Sequence, residues 1–96
     1  MLIMEETRKA VVTVLGLDKK GIIAKVSAIL YENDANILDI NQTVLSEYFS
    51  MVLVADISSE KCSFAVLLGR LTQLGEEMNL QIRIQRSEIF EAMYQV

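Results

Sequence analysis

The chain contains no histidine and no proline, one cysteine and only four glycines in its 96 residues. Each shortage excludes something. Without histidine there is no imidazole to act as a base near neutral pH or to ligate a metal. The lone cysteine, Cys62, rules out an intrachain disulfide and a thiolate-built metal site. Nothing is present to activate it as a nucleophile, so it reads as a small residue near a helix start. With no proline and so little glycine, no stretch has the composition of an interdomain linker, and one domain is expected. No run of about 18 apolar residues exists, which excludes a membrane-spanning helix. The N-terminal MLIMEETRK lacks the apolar stretch of a secretory signal, so a cytoplasmic location is expected. Basic residues are also few, 9 against 13 acidic for a net charge of −4. Such a balance does not draw in a phosphate backbone, so nucleic acid is not expected as partner; with no spanning run, neither is a membrane.

What the chain does have is apolar surface to bury. Apolar residues make up 52% and charged residues 23%, outside the range of disordered chains. A chain of this size buries roughly 60–68% of its unfolded surface.

The apolar pattern changes period along the chain. Residues 9–15, KAVVTVL, form a β-branched run that reads as a central strand buried on both faces. The glycine-bracketed turn Gly16–Gly21 follows, and then Ile22, Ile23, Val26, Ile29 and Leu30 fall on one helical stripe. Asn33-Asp34-Ala35-Asn36 ends that helix. Residues 37–45 form a second strand, Glu47-Tyr48 a hairpin corner, and residues 49–57 a third strand. In that third strand Phe49, Met51, Leu53, Ala55 and Ile57 share one face, with Val52 and Val54 on the other. A second helix starts near Ser59 or Cys62 and carries Phe64, Leu67, Leu68, Leu71, Leu74 and Met78. Gly69 and Gly75 lie inside it, each weakening it by about 1 kcal/mol relative to alanine. Residues 80–86 alternate cleanly, with Leu80, Ile82 and Ile84 inward and Gln81, Arg83 and Gln85 outward, as in a one-sided edge strand. Ile89, Phe90, Met93, Tyr94 and Val96 mark an apolar tail at helical spacing.

The element order is βαββαβ. Right-handed crossovers then give an α+β, ferredoxin-like sandwich, a four-stranded antiparallel sheet with both helices on one face. Residues 1–8 are expected to be a flexible extension, 9–86 the domain, and 87–96 a tail packing on the domain or on a dimer mate. Known chemistries of this fold are missing their residues. The first loop, GLDKKG, has no Cys-x-x-Cys pair for metal and no arginine for phosphate. Strand 9–15 has no aromatic on which a base could stack. Asp39 and Asp56 do not make a persuasive carboxylate pair, and Asp39, Asn41 and Thr43 read as the wet side of their strand. The methionines read as core or interface filling. No catalytic site and no cofactor are expected.

The segment Thr13-Val14-Leu15-Gly16-Leu17-Asp18-Lys19-Lys20-Gly21-Ile22-Ile23-Ala24-Lys25-Val26 resembles the opening of an ACT domain. The run Asn33-Asp34-Ala35-Asn36-Ile37-Leu38-Asp39-Ile40 resembles that family's entry into its second strand. The resemblance covers roughly residues 9–86 and is nearest to small stand-alone ACT proteins of the glycine-cleavage repressor type. Lys20 replaces the family's usual proline, leaving the loop less pre-organised.

The resemblance implies a non-catalytic regulatory domain that binds an amino acid or similar small metabolite, held at a homodimer interface, and signals to a protein partner of unknown identity. The alternative is a dimeric interaction module with no small ligand. The site residues it implies are Asp18, Lys20, Gly21, Ile22, Ile23, Asn36 and Ile37. In it, the first amides of the helix take a carboxylate, Asp18 takes an ammonium group and Asn36 bridges to a polar atom. Each has a plainer role: Asp18 as helix cap, Asn36 as a left-handed turn residue, Gly21 as a backbone requirement, and Lys19 and Lys20 as solvated charges.

Overall fold

The computed structural model describes residues 8–87. Apart from Arg8 and Ser87, the N-terminal extension and the C-terminal tail lie outside these residues, and so do the expectations for them. The elements are β1 (Lys9–Leu17), α1 (Ile22–Glu32), β2 (Asn36–Leu45), β3 (Tyr48–Asp56), α2 (Phe64–Met78) and β4 (Gln81–Arg86). They form the expected ferredoxin-like βαββαβ fold, with an antiparallel sheet in the order β2-β3-β1-β4. β1 and β3 are central, and β2 and β4 are the edges.

The core lies between the sheet and the two helices. Ala10, Val12 and Val14 of β1 meet Phe49, Met51, Leu53 and Ala55 of β3, with Ile84 of β4 beside them. Onto this layer α1 presses Ile22, Val26, Ile29 and Leu30, and α2 presses Leu67, Leu71 and Leu74. Both helices turn the stripe that their period sets toward the core, with Ile23, Phe64 and Met78 partly buried at its margins. Leu68, expected among the apolar positions of α2, is instead 45% exposed.

Side chains at directly paired positions share a face of the sheet. The face away from the helices therefore carries Val11, Thr13, Leu15 and Leu17 of β1 beside Val54, Val52, Ser50 and Tyr48 of β3. Here the expectation of two-sided burial for β1 needs correction. Val11 is buried, but Leu15 is 51% exposed, since α1 and α2 both pack on the other side of the sheet. β2 is open as well: Ile40, Val44 and Leu45 are exposed along its length.

The turns follow local chemistry. Asn33 closes α1, its side-chain amide donating to the carbonyl of Ile29 at 2.7 Å. The left-handed residue of this turn is Asp34, at φ 63°, and not Asn36, which is already the first residue of β2. The hairpin turns on Ser46 and Glu47, with Ser46 at φ 60°, so Tyr48 is a strand residue paired with Leu45. α2 starts later than expected. Its cap is Ser63, whose hydroxyl accepts the amide of Val66 at 3.3 Å.

Candidate functional site

An open cleft of about 570 Å³ lies where the β1–α1 loop meets the hairpin end of the sheet. Asp18, Lys19, Gly21, Ile22, Ile23 and Ala24 form one wall, and Gln42, Val44 and Phe49 the other. The loop that shapes it is tied at both flanks. The Asp18 amide donates to the carbonyl of Glu47 at 2.8 Å, which fixes the loop to the hairpin. The Lys19 ammonium donates to the carbonyl of Met78, which fixes it to the C-terminal end of α2. Lys19 is therefore not simply a solvated charge.

Gly21 is the first cap of α1 and stands at φ 86°, a left-handed conformation that costs an L-residue with a Cβ about 1–2 kcal/mol. Among the described residues no side chain caps this end of the helix. Asp18 does not do so, which corrects the plainer reading of that residue. Its amide is engaged with the hairpin three residues before the helix cap, and the residue lines the cleft. The first intrahelical bond at this end runs from the amide of Lys25 to the carbonyl of Gly21 at 2.9 Å. Among the described residues nothing takes up the amides of Ile22, Ile23 and Ala24. They stand at the positive end of an eleven-residue helix, beside the cleft.

Of the seven implied residues, the structure brings four to this cleft: Asp18, Gly21, Ile22 and Ile23. Lys20 lies next to it in the turn but does not line it. Asn36 and Ile37 are elsewhere. Asn36 pairs with Asp56, and Asp56 with Lys9, which puts Asn36 at the opposite end of the sheet from Leu17 and Asp18. The path of the chain forces this separation: β1 runs up the sheet, α1 returns, and β2 starts where β1 started. At about 3.3 Å per residue, the strand between the two ends spans roughly 25 Å. The same path names the residues that were missed. The β2–β3 hairpin returns to the loop end, so Gln42, Val44 and Phe49, on its helix-facing side, complete the cleft. Gln42 is the polar one among them, and a polar residue on a helix-facing row was the available signal.

At the far end, Asp56 accepts the hydroxyl and the amide of Ser58, and these bonds hold its carboxyl below the usual range. Ser59 donates to Asp34 nearby. Cys62 is half-buried, and burial, with Asp34 and Asp56 close by, pushes its thiol up. That is the reverse of an activated nucleophile. Among the described residues no group of histidine, cysteine, aspartate and glutamate is placed to hold a metal ion, and no helix is long and apolar enough to cross a membrane.

Known proteins agree with this architecture. A UPF0237 protein of Methanocaldococcus jannaschii is 43% identical over 88 residues, spanning 92% of this chain and 98% of its own length. The solved structure of an ACT domain protein from Streptococcus pneumoniae is 47% identical and superposes with a TM-score of 0.75, covering 93% of this chain and all of that one. A putative glycine cleavage system transcriptional repressor shares the fold, at a TM-score of 0.75 and 22% identity over 86% of this chain and 47% of its own. Residues 8–85 match the ACT domain, and the chain belongs to that family.

Proposed function

We propose that the protein is a non-catalytic regulatory domain that binds a small amino-acid-like metabolite in the Asp18–Gln42 cleft. One observation carries the reading. Among the described residues the amides of Ile22, Ile23 and Ala24 are unclaimed, beside a cleft lined also by Asp18, which carries a carboxylate, and Gln42, which carries a side-chain amide. A zwitterion with a carboxylate at one end and an ammonium group at the other fits those charges. The left-handed Gly21 exposes the helix end without a side chain in the way. The β2 wall of the cleft lies on a sheet edge where Ile40, Gln42 and Val44 are exposed, so a second copy along that edge would close it. Binding would then be read out by a protein partner through the dimer. The lowered pre-organisation from Lys20 favours a weak, metabolite-range affinity over a tight one.

A thermal-shift screen against the common amino acids tests this. A ligand at about ten times its Kd adds roughly 1.4 kcal/mol, a shift of about 6–11 °C for a domain of this size. A shift that disappears in Gln42→Ala and Gly21→Val places the ligand in the cleft. If no amino acid gives a shift, the metabolite reading falls and the interaction-module reading takes its place.

A further inference from the structure

The side of the sheet away from the helices has a distinct distribution of residues. In its middle, Val11 pairs with Val54 and Thr13 with Val52, and beyond them lie Leu15, Leu17 and Tyr48. Val52 is 40% exposed, Leu17 47%, Leu15 51% and Tyr48 54%, an apolar band no element of the described fold covers. The flanks are charged and opposite in sign. Asp39 of β2 pairs with Val54 and so faces this side on one edge. Arg83 of β4 pairs with Thr13 and faces it on the other. Arg83 has no ion-pair partner among the described residues, and Asp39 has only the amide of Ile40 on one oxygen, at 2.9 Å.

An apolar band between an acidic and a basic edge is self-complementary under one particular symmetry. A two-fold axis parallel to the strands, running between β3 and β1, turns one sheet face onto another with each level of the ladder kept. It lays β2 of one copy over β4 of the second and β3 over β1. Val54 then meets Val11, Val52 meets Thr13, and Tyr48 meets Leu17. Asn41 comes to lie over Arg83, with Asp39 one step along the strand and within an arginine's reach, and the contact occurs twice. An in-plane axis across the strands would instead stack β2 on β2 and β4 on β4, setting like edges against each other. We infer that the open face is an interface with a second copy of this chain, packed sheet to sheet about 10 Å apart around a two-fold axis along the strands. It is separate from any contact along the β2 edge and does not depend on a ligand in the cleft.

Light scattering on the full chain at tens of micromolar tests this. The expected mass is at least twice 10.8 kDa. Asp39→Arg leaves only positive charge at both copies of the edge contact, with no acid to face Arg83, and Arg83→Glu leaves only negative charge there. Each variant alone is expected to halve the mass, and Val52→Lys, at the centre of the band, likewise. An equimolar mixture of Asp39→Arg with Arg83→Glu is expected to regain the parent mass, because each position then faces its opposite in the mixed pair. The regain also shows that both variants are folded. A parent mass of 10.8 kDa overturns the proposal, as would follow if the chain's own terminal segment covered the face. It is equally overturned if the three variants keep the parent mass, as an edge-only dimer would, or if the mixture does not recover.

Discussion

The ammonium of Lys19 donates to the carbonyl of Met78, joining the loop after β1 to the last turn of α2. The last carbonyls of a helix have no intrahelical donor and carry the negative end of its dipole. A cation there contributes about 0.3–1 kcal/mol when exposed. Lys19→Met should therefore lower stability by about that amount, and Lys19→Glu by more, with the difference shrinking as salt screens the dipole. Urea melts at low and high ionic strength check both points. Equal midpoints for parent and Lys19→Met at low salt would show that the contact contributes nothing.

The two glycines inside α2 should respond in opposite directions to the same change. A Cβ at Gly69 meets nothing within 4 Å. Gly69→Ala should stabilise the protein by about 0.5–1 kcal/mol through helix propensity and a less flexible unfolded chain. At Gly75 a Cβ would come within 2.8 Å of the carbonyl oxygen of Leu80, backbone that cannot swing aside. That carbonyl belongs to the turn in which Asn79 adopts φ 57° and the Leu80 amide returns to Gly75 at 2.8 Å. The overlap outweighs the propensity gain, and Gly75→Ala should cost about 1–3 kcal/mol. Thermal melts of the two variants decide this directly; a Gly75→Ala protein as stable as Gly69→Ala would refute it.

This pair also shows what the sequence reveals and what it hides. All six elements could be read from it, since the two-residue period of β3 and the 3.6-residue stripes of α1 and α2 are set by which side of each element is buried. Both helical glycines look alike in the sequence, because the difference between them is the position of Leu80, a contact made by the fold. The site was legible in the same partial way. Asp18, Gly21, Ile22 and Ile23 are neighbours along the chain and stay together, whereas Asn36 was grouped with them by family resemblance and lies at the other end of the sheet. Gln42 and Val44 reach the cleft only through the hairpin, which residue spacing alone does not display.

Asp56 should titrate low. Its carboxylate accepts from the hydroxyl and the amide of Ser58, bonds that favour the charged form. A folded-state value below the ordinary 3.8 means that the contribution to stability is present above the unfolded value and is lost as pH falls through the folded one. The effect therefore belongs to the acid limb, below about pH 4, and not to neutral pH. Because the group is exposed, the contribution is small. A carboxyl titration by NMR should give Asp56 a midpoint below 3.8 in the parent, rising towards it in Ser58→Ala. An unchanged midpoint in Ser58→Ala would remove the hydroxyl as the cause.

The position of Asn36 gives the sharpest test of where a ligand binds. With an amino acid that shifts the melting temperature in hand, three variants separate the two ends of the sheet. Asp18→Asn keeps the shape of the cleft wall but removes its negative charge, and it should weaken binding of an ammonium-bearing ligand by about 1.5–3 kcal/mol, on the order of tenfold or more. It should leave the unliganded stability nearly unchanged, because Asp18 caps no helix. Gly21→Ala has a Cβ in open space, with only the tip of Lys25 at 3.8 Å, so its cost of about 1–2 kcal/mol comes from the left-handed backbone. That strain pulls against the geometry that presents the Ile22–Ala24 amides, so affinity and stability should fall together. Asn36→Ala, at the far end beside Asp56, should leave the ligand-induced shift as it was. Isothermal titration of the three variants supplies the comparison. If Asn36→Ala loses the ligand while Asp18→Asn retains it, the binding site is at the β2 entry and the cleft at Gly21 is not the effector site.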